Sequence, residues 1–453
     1  MRTARTTPTF ALLSFAFLAL AATAATLRGS STSAPRQTRA DSTVLRDPIA
    51  RLQSRIDAGQ VTLQRDSTFG YLPSVLHALD IPVSSQSLVF SRTSLQSELI
   101  APWVPRALYF NDDVYVGYVQ ESEFLEIATV SPTTGVAFYT LLEDPKARVS
   151  FAHETSNCLL CHESRGTGFA PGFLMLSTIS DRMGYPITNV HEGSTTDATP
   201  IRQRFGGWYV SGTDGATGHS GNVHSAKDFN QVDKEHYRDQ IDMTTESSLT
   251  SLSGKFSPSL YPSPHSDLIA LMVLVHQTSV HNLMGTVQEA TRKALVEQSI
   301  IARYASDSVL AIPVAVSNVA MRNAIENLVR GMLFIGAAPL ESPMHGTSSF
   351  VSDFEKRGPR DAAGRSLRDF DLQHRLFKYP LSFLIYSEGF KSLAEPARDG
   401  VYARLRTILG GEDANPIYAH ISPADRKAIS EILRATVPDY TARPASSVGK
   451  NGL

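Results

Sequence analysis

Cysteine is nearly absent from this chain: two residues in 453. Two thiols cannot frame a disulfide-built scaffold, so that class is excluded. An excess of either charge is missing as well. Lys and Arg number 42 and Asp and Glu 44, for a net charge of −2. Proteins that track nucleic-acid phosphates need a basic face, and this balance argues against one. There is no glycine loop of the phosphate-cradling kind and no internal repeat. Beyond the N-terminal region, no unbroken apolar run reaches the roughly 20 residues needed to span a bilayer. Hydrophobic residues make up 42% and charged residues 19%, a globular composition that excludes wholesale disorder and collagen-like repeats. The length suits two or three domains, or one large irregular one.

What is present begins with an export signal. Arg2 and Arg5 precede an apolar run from Phe10 to Ala22, which ends in Ala22-Thr23-Ala24. A positive start, a short apolar core and small residues at its end make a signal peptide over 1–24, cleaved near Ala24 or Ala25. The run is too short for a span, and no cysteine follows it to carry a lipid. The mature chain is expected to be periplasmic or otherwise exported, with no integral membrane segment.

Residues 25–43 are rich in Ser, Thr, Ala, Arg and Pro and read as a disordered linker. Between 44 and 64, Leu45, Ile49, Leu52, Ile56 and Val61 recur at helical spacing, with Asp47 and Pro48 as cap and first helical residue. Asp41 and Ser42 are earlier alternatives for the cap. A second short helix is expected over 71–80. The period then changes. Short β-branched and aromatic runs at 107–110, 114–119, 124–130 and 136–142, separated by turn residues, predict an antiparallel meander. Residues 163–260 are rich in Gly, Ser, Thr and Asp. So long an irregular stretch predicts an organiser such as a buried cofactor. Helices are expected over 266–304, 317–336, 366–378, 381–390, 397–409 and 423–435. The fold class expected is α+β, mainly α: helix plus β meander over 44–149, a loop-rich region over 150–260, a helical region over 261–440 and a flexible tail over 441–453.

The two cysteines stand together as Cys158-Leu-Leu-Cys161-His162. Cys-x-x-Cys-His is the attachment signal for c-type haem. Two thiols add across the two vinyl groups of the porphyrin, and the adjacent histidine then lies beneath the iron. Attachment would use both cysteines of an exported chain, where lone thiols otherwise pair. Other readings fit less well. A thioredoxin-like pair opens a helix after a strand of a βαβ unit, and here a meander precedes it. A structural zinc site needs four ligands, which only scattered histidines could complete. A disulfide across two residues would be strained.

On this motif the chain resembles the c-type cytochromes. Gly166, Gly168 and Pro171-Gly172 resemble the loop that follows the haem histidine in such domains. The resemblance implies that the Pro171 carbonyl accepts the ring N–H of His162, orienting it and raising its basicity. More loosely, the segments at 109–116, 206–210 and 377–380 are similar to parts of large exported bacterial "cytochrome c domain" proteins. The resemblance implies a cytochrome c-like haem-binding region, one covalent haem c and a redox partner protein.

The other side of the iron is less determined. Met175 and Met183 follow His162 closely and the next methionine is Met243, so the usual window for a methionine ligand is empty. That window holds His219, in a glycine-flanked loop, with Trp208 and Tyr209 nearby to cover the haem edge. His276 and His281 are the alternatives. Five residues apart on a helix, they lie about 140° apart, so both cannot face one iron. Met175 or an open sixth position completes the set. Electron transfer is the simplest function for one haem. The size of the chain also suits a haem enzyme of peroxidase or oxygenase type, or a haem-based redox or ligand sensor.

Overall fold

The computed structural model describes residues 47–191, 193–233, 235–236, 241, 246–304 and 314–442. The expected signal peptide, the linker and most of the tail lie outside them. Helix makes up 38% and strand 15%, so the fold is mixed α and β.

Helix α1 (Pro48–Asp57) starts where the sequence marks it. The Asp47 carboxylate accepts the N–H groups of Ile49 and Ala50 at 2.8 and 3.0 Å, two donors that a helix start otherwise leaves unpaired. It ends short of residue 64 because Gly59 turns to a positive φ of 70°. Helix α2 (Leu72–Ala78) follows. Then come β1 (Ser87–Val89), β2 (Arg106–Phe110), β3 (Val114–Tyr118), β4 (Phe124–Ser131), β5 (Gly135–Leu142) and β6 (Phe151–Glu154). With β9 (Trp208–Tyr209) they form one antiparallel sheet in the order β6-β5-β4-β3-β2-β1-β9. The four central strands are the expected meander. The outer strands β1, β6 and β9 are too short for a period of two to show. Strands β7 (Thr178–Ser180) and β8 (Pro186–Asn189) pair with each other, as do β10 (Gly212–Thr213) and β11 (His345–Gly346).

Side-chain alternation along the strands divides two cores. Tyr109, Val116, Ile127, Tyr139 and Leu141 face α1 and α2, joined by Leu252, Phe256 and Tyr261. Phe110, Tyr115 and Phe138 face the helices that follow. These are α4 (Leu268–Ile301), α5 (Val319–Met332), α6 (Phe350–Lys356), α7 (Glu395–Leu409) and α8 (Pro423–Thr436), with the single turn α3 (Leu159–His162) before them. The first ten residues of α4 are buried on every side. By length and composition α4 is also apolar enough to cross a membrane, although 78% of that apolar window is buried inside the fold.

Two other expectations are corrected. No helix forms over 366–378, where Asp371 caps the N–H groups of Gln373 and His374 and Leu372 takes a positive φ of 58°. Polar side chains here offer the backbone an alternative to helical bonding. The helix expected over 381–390 is cut in two, because Ser382 and Ser387 each start a separate turn, at Phe383–Tyr386 and Glu388–Lys391. Residues 163–260 contribute to two cores. Phe173, Met175, Ile201, Phe205, Trp208 and Val210 enter the helical-side core, and Ile179, Ile187, Val190, Val232 and Ile241 form a small cluster of their own.

Asp47 joins the two layers of the first core, since its second oxygen accepts the Tyr139 hydroxyl at 2.7 Å. Asp47→Ala removes the cap and leaves that buried hydroxyl unpaired. The expected loss is about 2–4 kcal/mol of unfolding free energy, measured by urea titration. A loss below about 0.5 kcal/mol would show that neither contact matters.

Candidate functional site

Strand β6 leads the chain onto the helical-side face of the sheet, where Cys158 begins the turn α3. The His162 N–H closes that turn on the Cys158 carbonyl at 3.0 Å. Both thiols are free; Cys158 is half-buried and Cys161 exposed. Cys158 packs against the helical-side core. Burial pushes its thiol up to about 11, and the nearby Glu126 and Glu154 carboxylates add to the shift. A redox-active pair depends on a lowered thiol pKa, and the setting of Cys158 works in the opposite direction. Among the described residues no group of three His, Cys, Asp or Glu side chains is arranged to hold a metal ion.

His162 is held by a two-way clasp with Gly172. Its Nδ1–H donates to the Gly172 carbonyl at 2.8 Å, and the Gly172 N–H donates back to the His162 carbonyl at 2.9 Å. The acceptor is therefore Gly172 and not Pro171, because Gly172 is the residue that pairs directly with His162. The intervening loop turns tightly through Gly168 and Phe169, both at positive φ. A side chain at position 172 would displace Asn282, since a Cβ there would lie 2.8 Å from Asn282 Oδ1. Asn282 in turn brackets Phe173, accepting its N–H at 2.7 Å and donating to its carbonyl at 2.9 Å. The loop is thereby fixed to α4. The Phe138 ring lies 4.6 Å from the His162 ring. Burial lowers the histidine's pKa, which favours the neutral ring. With the proton on Nδ1, Nε2 carries a lone pair.

The surroundings combine charge and exposed apolar surface. Arg106 on β2 reaches across Gly117 on β3 to Glu126 on β4, at 2.5 Å. A Cβ at Gly117 would overlap that guanidinium. Leu160 and Phe169, on either side of His162, are 81% and 73% exposed. The sequence reading missed Arg106, Glu126, Phe138 and Asn282. A signal for two of them existed: Arg106 and Glu126 occupy strand positions whose same-face neighbours are apolar.

The other expected site residues are dispersed. Trp208 lies in the helical-side core and donates to the Leu176 carbonyl, whereas Tyr209 lies in the opposite core and donates to Pro102. Adjacent residues of a strand point to opposite faces, so the pair cannot cover one haem edge. Met175 is buried in the helical-side core. His219 is 2% exposed and lies edge-on to Phe205. Its Nδ1 accepts the Gly221 N–H at 3.0 Å, which puts the proton on Nε2, towards the Ser247 carbonyl, in a contact short of a well-formed hydrogen bond. Burial lowers its pKa to about 4. His281 is arranged the same way. The Tyr115 hydroxyl meets its Nδ1 at 2.9 Å, and burial lowers its pKa to about 3.

His276 has both nitrogens engaged, with Asp197 Oδ2 at 2.7 Å and Ser382 Oγ at 2.8 Å. Asp197–His276–Ser382 has the connectivity of a hydrolase triad. His276 and Ser382 are both completely buried, however, and Ser382 Oγ is also the cap of a helical turn. The three residues act as a tie between the 197 loop, α4 and the C-terminal region. Comparison with family models, with curated proteins and with solved structures finds no match for this chain.

The neutral His281 makes stability depend on pH. Its folded pKa lies below the ordinary imidazole value, so its contribution is complete above pH 6.5 and is lost as pH falls towards 3. The loss is about 1.4 kcal/mol per pH unit over most of that window. His281→Gln retains an acceptor for Tyr115 and should flatten urea-derived stability between pH 6 and 4.5 by about one proton. Identical slopes for variant and parent would contradict a buried neutral ring.

Proposed function

We propose that the chain is an exported c-type cytochrome. It holds one haem through Cys158, Cys161 and His162 and exchanges single electrons with a redox partner protein. One observation carries the reading. Of the four histidines considered as ligands, His162 alone has its ring proton on a backbone carbonyl and an Nε2 lone pair that no described hydrogen bond takes. It lies one residue from a free thiol and four from a second.

The residues present fit the group. Gly172 orients the imidazole and raises its basicity, as a carbonyl behind a ligating histidine does. Phe138 limits rotation of the ring. Leu160 and Phe169 offer apolar surface that otherwise faces water. The Arg106–Glu126 pair puts compensating charges close to both Cys158 and His162. When bound, haem supplies a one-electron couple whose potential follows axial ligation, exposure and hydrogen bonding.

The test is covalent attachment. Protein expressed with a haem-attachment system should carry the mass of one haem and keep haem-dependent peroxidase staining after denaturation. Cys158→Ala with Cys161→Ala should lose both. A mature mass equal to the bare polypeptide would refute the reading.

A second reading is favoured by the state of the other histidines. The lone-pair nitrogens of His219, His276 and His281 are already committed. That supports an open sixth position, and hence peroxidase-like or oxygenase-like chemistry or ligand sensing. Ferrous protein that binds carbon monoxide and shows a high-spin spectrum would support it. A low-spin spectrum indifferent to carbon monoxide would return the assignment to electron transfer, and its conversion to high-spin by His219→Ala would name the ligand.

A further inference from the structure

We propose that the cavity beside Arg368 is a binding site for one small inorganic anion of the halide class. The proposal is independent of the haem reading and lies in another part of the fold. Arg368 has a side chain only 3% exposed. It is held on several sides. Nη2 contacts Asp112 Oδ2, the guanidinium carbon lies 4.6 Å from the Phe354 ring centre and 4.7 Å from that of Phe383, and the backbone of Gly358 packs against its stem. Nε and Nη1 are enclosed and have no hydrogen-bond partner among the described residues. A guanidinium is charged at any physiological pH, and its enclosed donors are costly to leave unpaired.

The cavity supplies room for such a partner. Besides Arg368 its walls include Arg357, Asp112, Gln277, Phe110 and Phe350. The centre of a water-sized sphere has about 10 Å³ in which to move, the scale of a single water or a small ion. A phosphate ester, a nucleotide or a sugar is too large. Charge separates the two small occupants. Two guanidiniums face the space and one carboxylate does, and that carboxylate is already bound to Arg368. The partner of Arg357 is Asp80, whose side chain is 93% exposed and therefore screened by water. Gln277 does not make up the deficit, because its amide N–H groups go to the Asn111 carbonyl and the Tyr115 hydroxyl. Nε–H and the Nη1 hydrogens point apart, so a single occupant takes one of the two donors. A water there would leave the excess positive charge, whereas a halide neutralises it.

The position gives the anion a role. The cavity lies where the turn between β2 and β3, helix α4, helix α6 and the 366–378 segment meet. An ion there would join elements that Arg368–Asp112 and the Gln277–Asn111 hydrogen bond already tie together.

The experiment uses the full mature chain. Crystals grown without chloride are transferred to sodium bromide, and anomalous scattering is measured at the bromine edge. A peak in contact with Arg368 is expected. In solution, thermal unfolding is compared in sodium chloride and sodium gluconate at equal ionic strength. Chloride should raise the midpoint by about 2 °C or more, saturating below about 0.2 M. Arg357→Gln, at the exposed side of the cavity, should raise the half-saturating chloride concentration about tenfold. Arg368→Gln should abolish the chloride effect, and Arg357→Gln carries the test if that variant fails to fold. Density for water alone overturns the proposal. So does a bromine peak without chloride-specific stabilisation, which is binding at crystal concentration only. An unchanged half-saturation in Arg357→Gln overturns it as well.

Discussion

Alternation along β2 to β5 is the constraint on which the molecule depends. A one-residue slip in register would move Tyr139 away from Asp47 and Phe138 away from His162, because the two sides of a strand exchange together. Both cores would lose their seams at once. The long pairing of β4 with β5, eight residues in continuous register from Phe124–Leu142 to Ser131–Gly135, fixes that choice. The sheet thus sets both the fold and the wall against which the Cys158 turn rests.

Helix α4 extends this order. Along one element, His276 joins Asp197 and Ser382, Gln277 and His281 join the β2–β3 turn and Tyr115, and Asn282 brackets Phe173. A helix with its first ten residues buried on all sides has no solvent face to adjust, so these contacts hold their spacing. The loop that carries Gly172 is referenced to the same helix as the distant Arg368 cavity. Both ring nitrogens of His276 are engaged inside this core, and the residue serves with Ser382 as a tie between elements.

Much of the fold is legible in the sequence, and the reasons are local. Asp47-Pro48 marks a helix start because capping involves only the next few residues. The meander is legible because its strands are long enough to show a period of two. Short strands and the failed helix at 366–378 are not legible, since three residues carry no period and side-chain capping by Asp371 competes silently with helical spacing. The site divides in the same way. Cys158, Cys161 and His162 announce themselves by spacing alone. Gly172, Phe138 and Asn282 come from three separate elements, and only the tertiary fold brings them together. The histidines at 219, 276 and 281 show the opposite failure. Their place in the sequence marks them as candidate ligands, whereas their burial and hydrogen bonds appear only in the fold.

The chain order of the sheet's two coverings has a consequence for how the molecule matures. The first core is built largely from residues that precede Cys158, with additions at 209 and 252–261. The face on which Cys158 packs is covered almost wholly by residues that follow it, from Phe173 through α4 to Tyr440. A polypeptide emerging from its N-terminus completes most of the sheet while both thiols still lie on an uncovered surface. Docking of the C-terminal helices leaves Cys158 half-buried and Cys161 exposed, so the fold closes over one sulfur more than over the other.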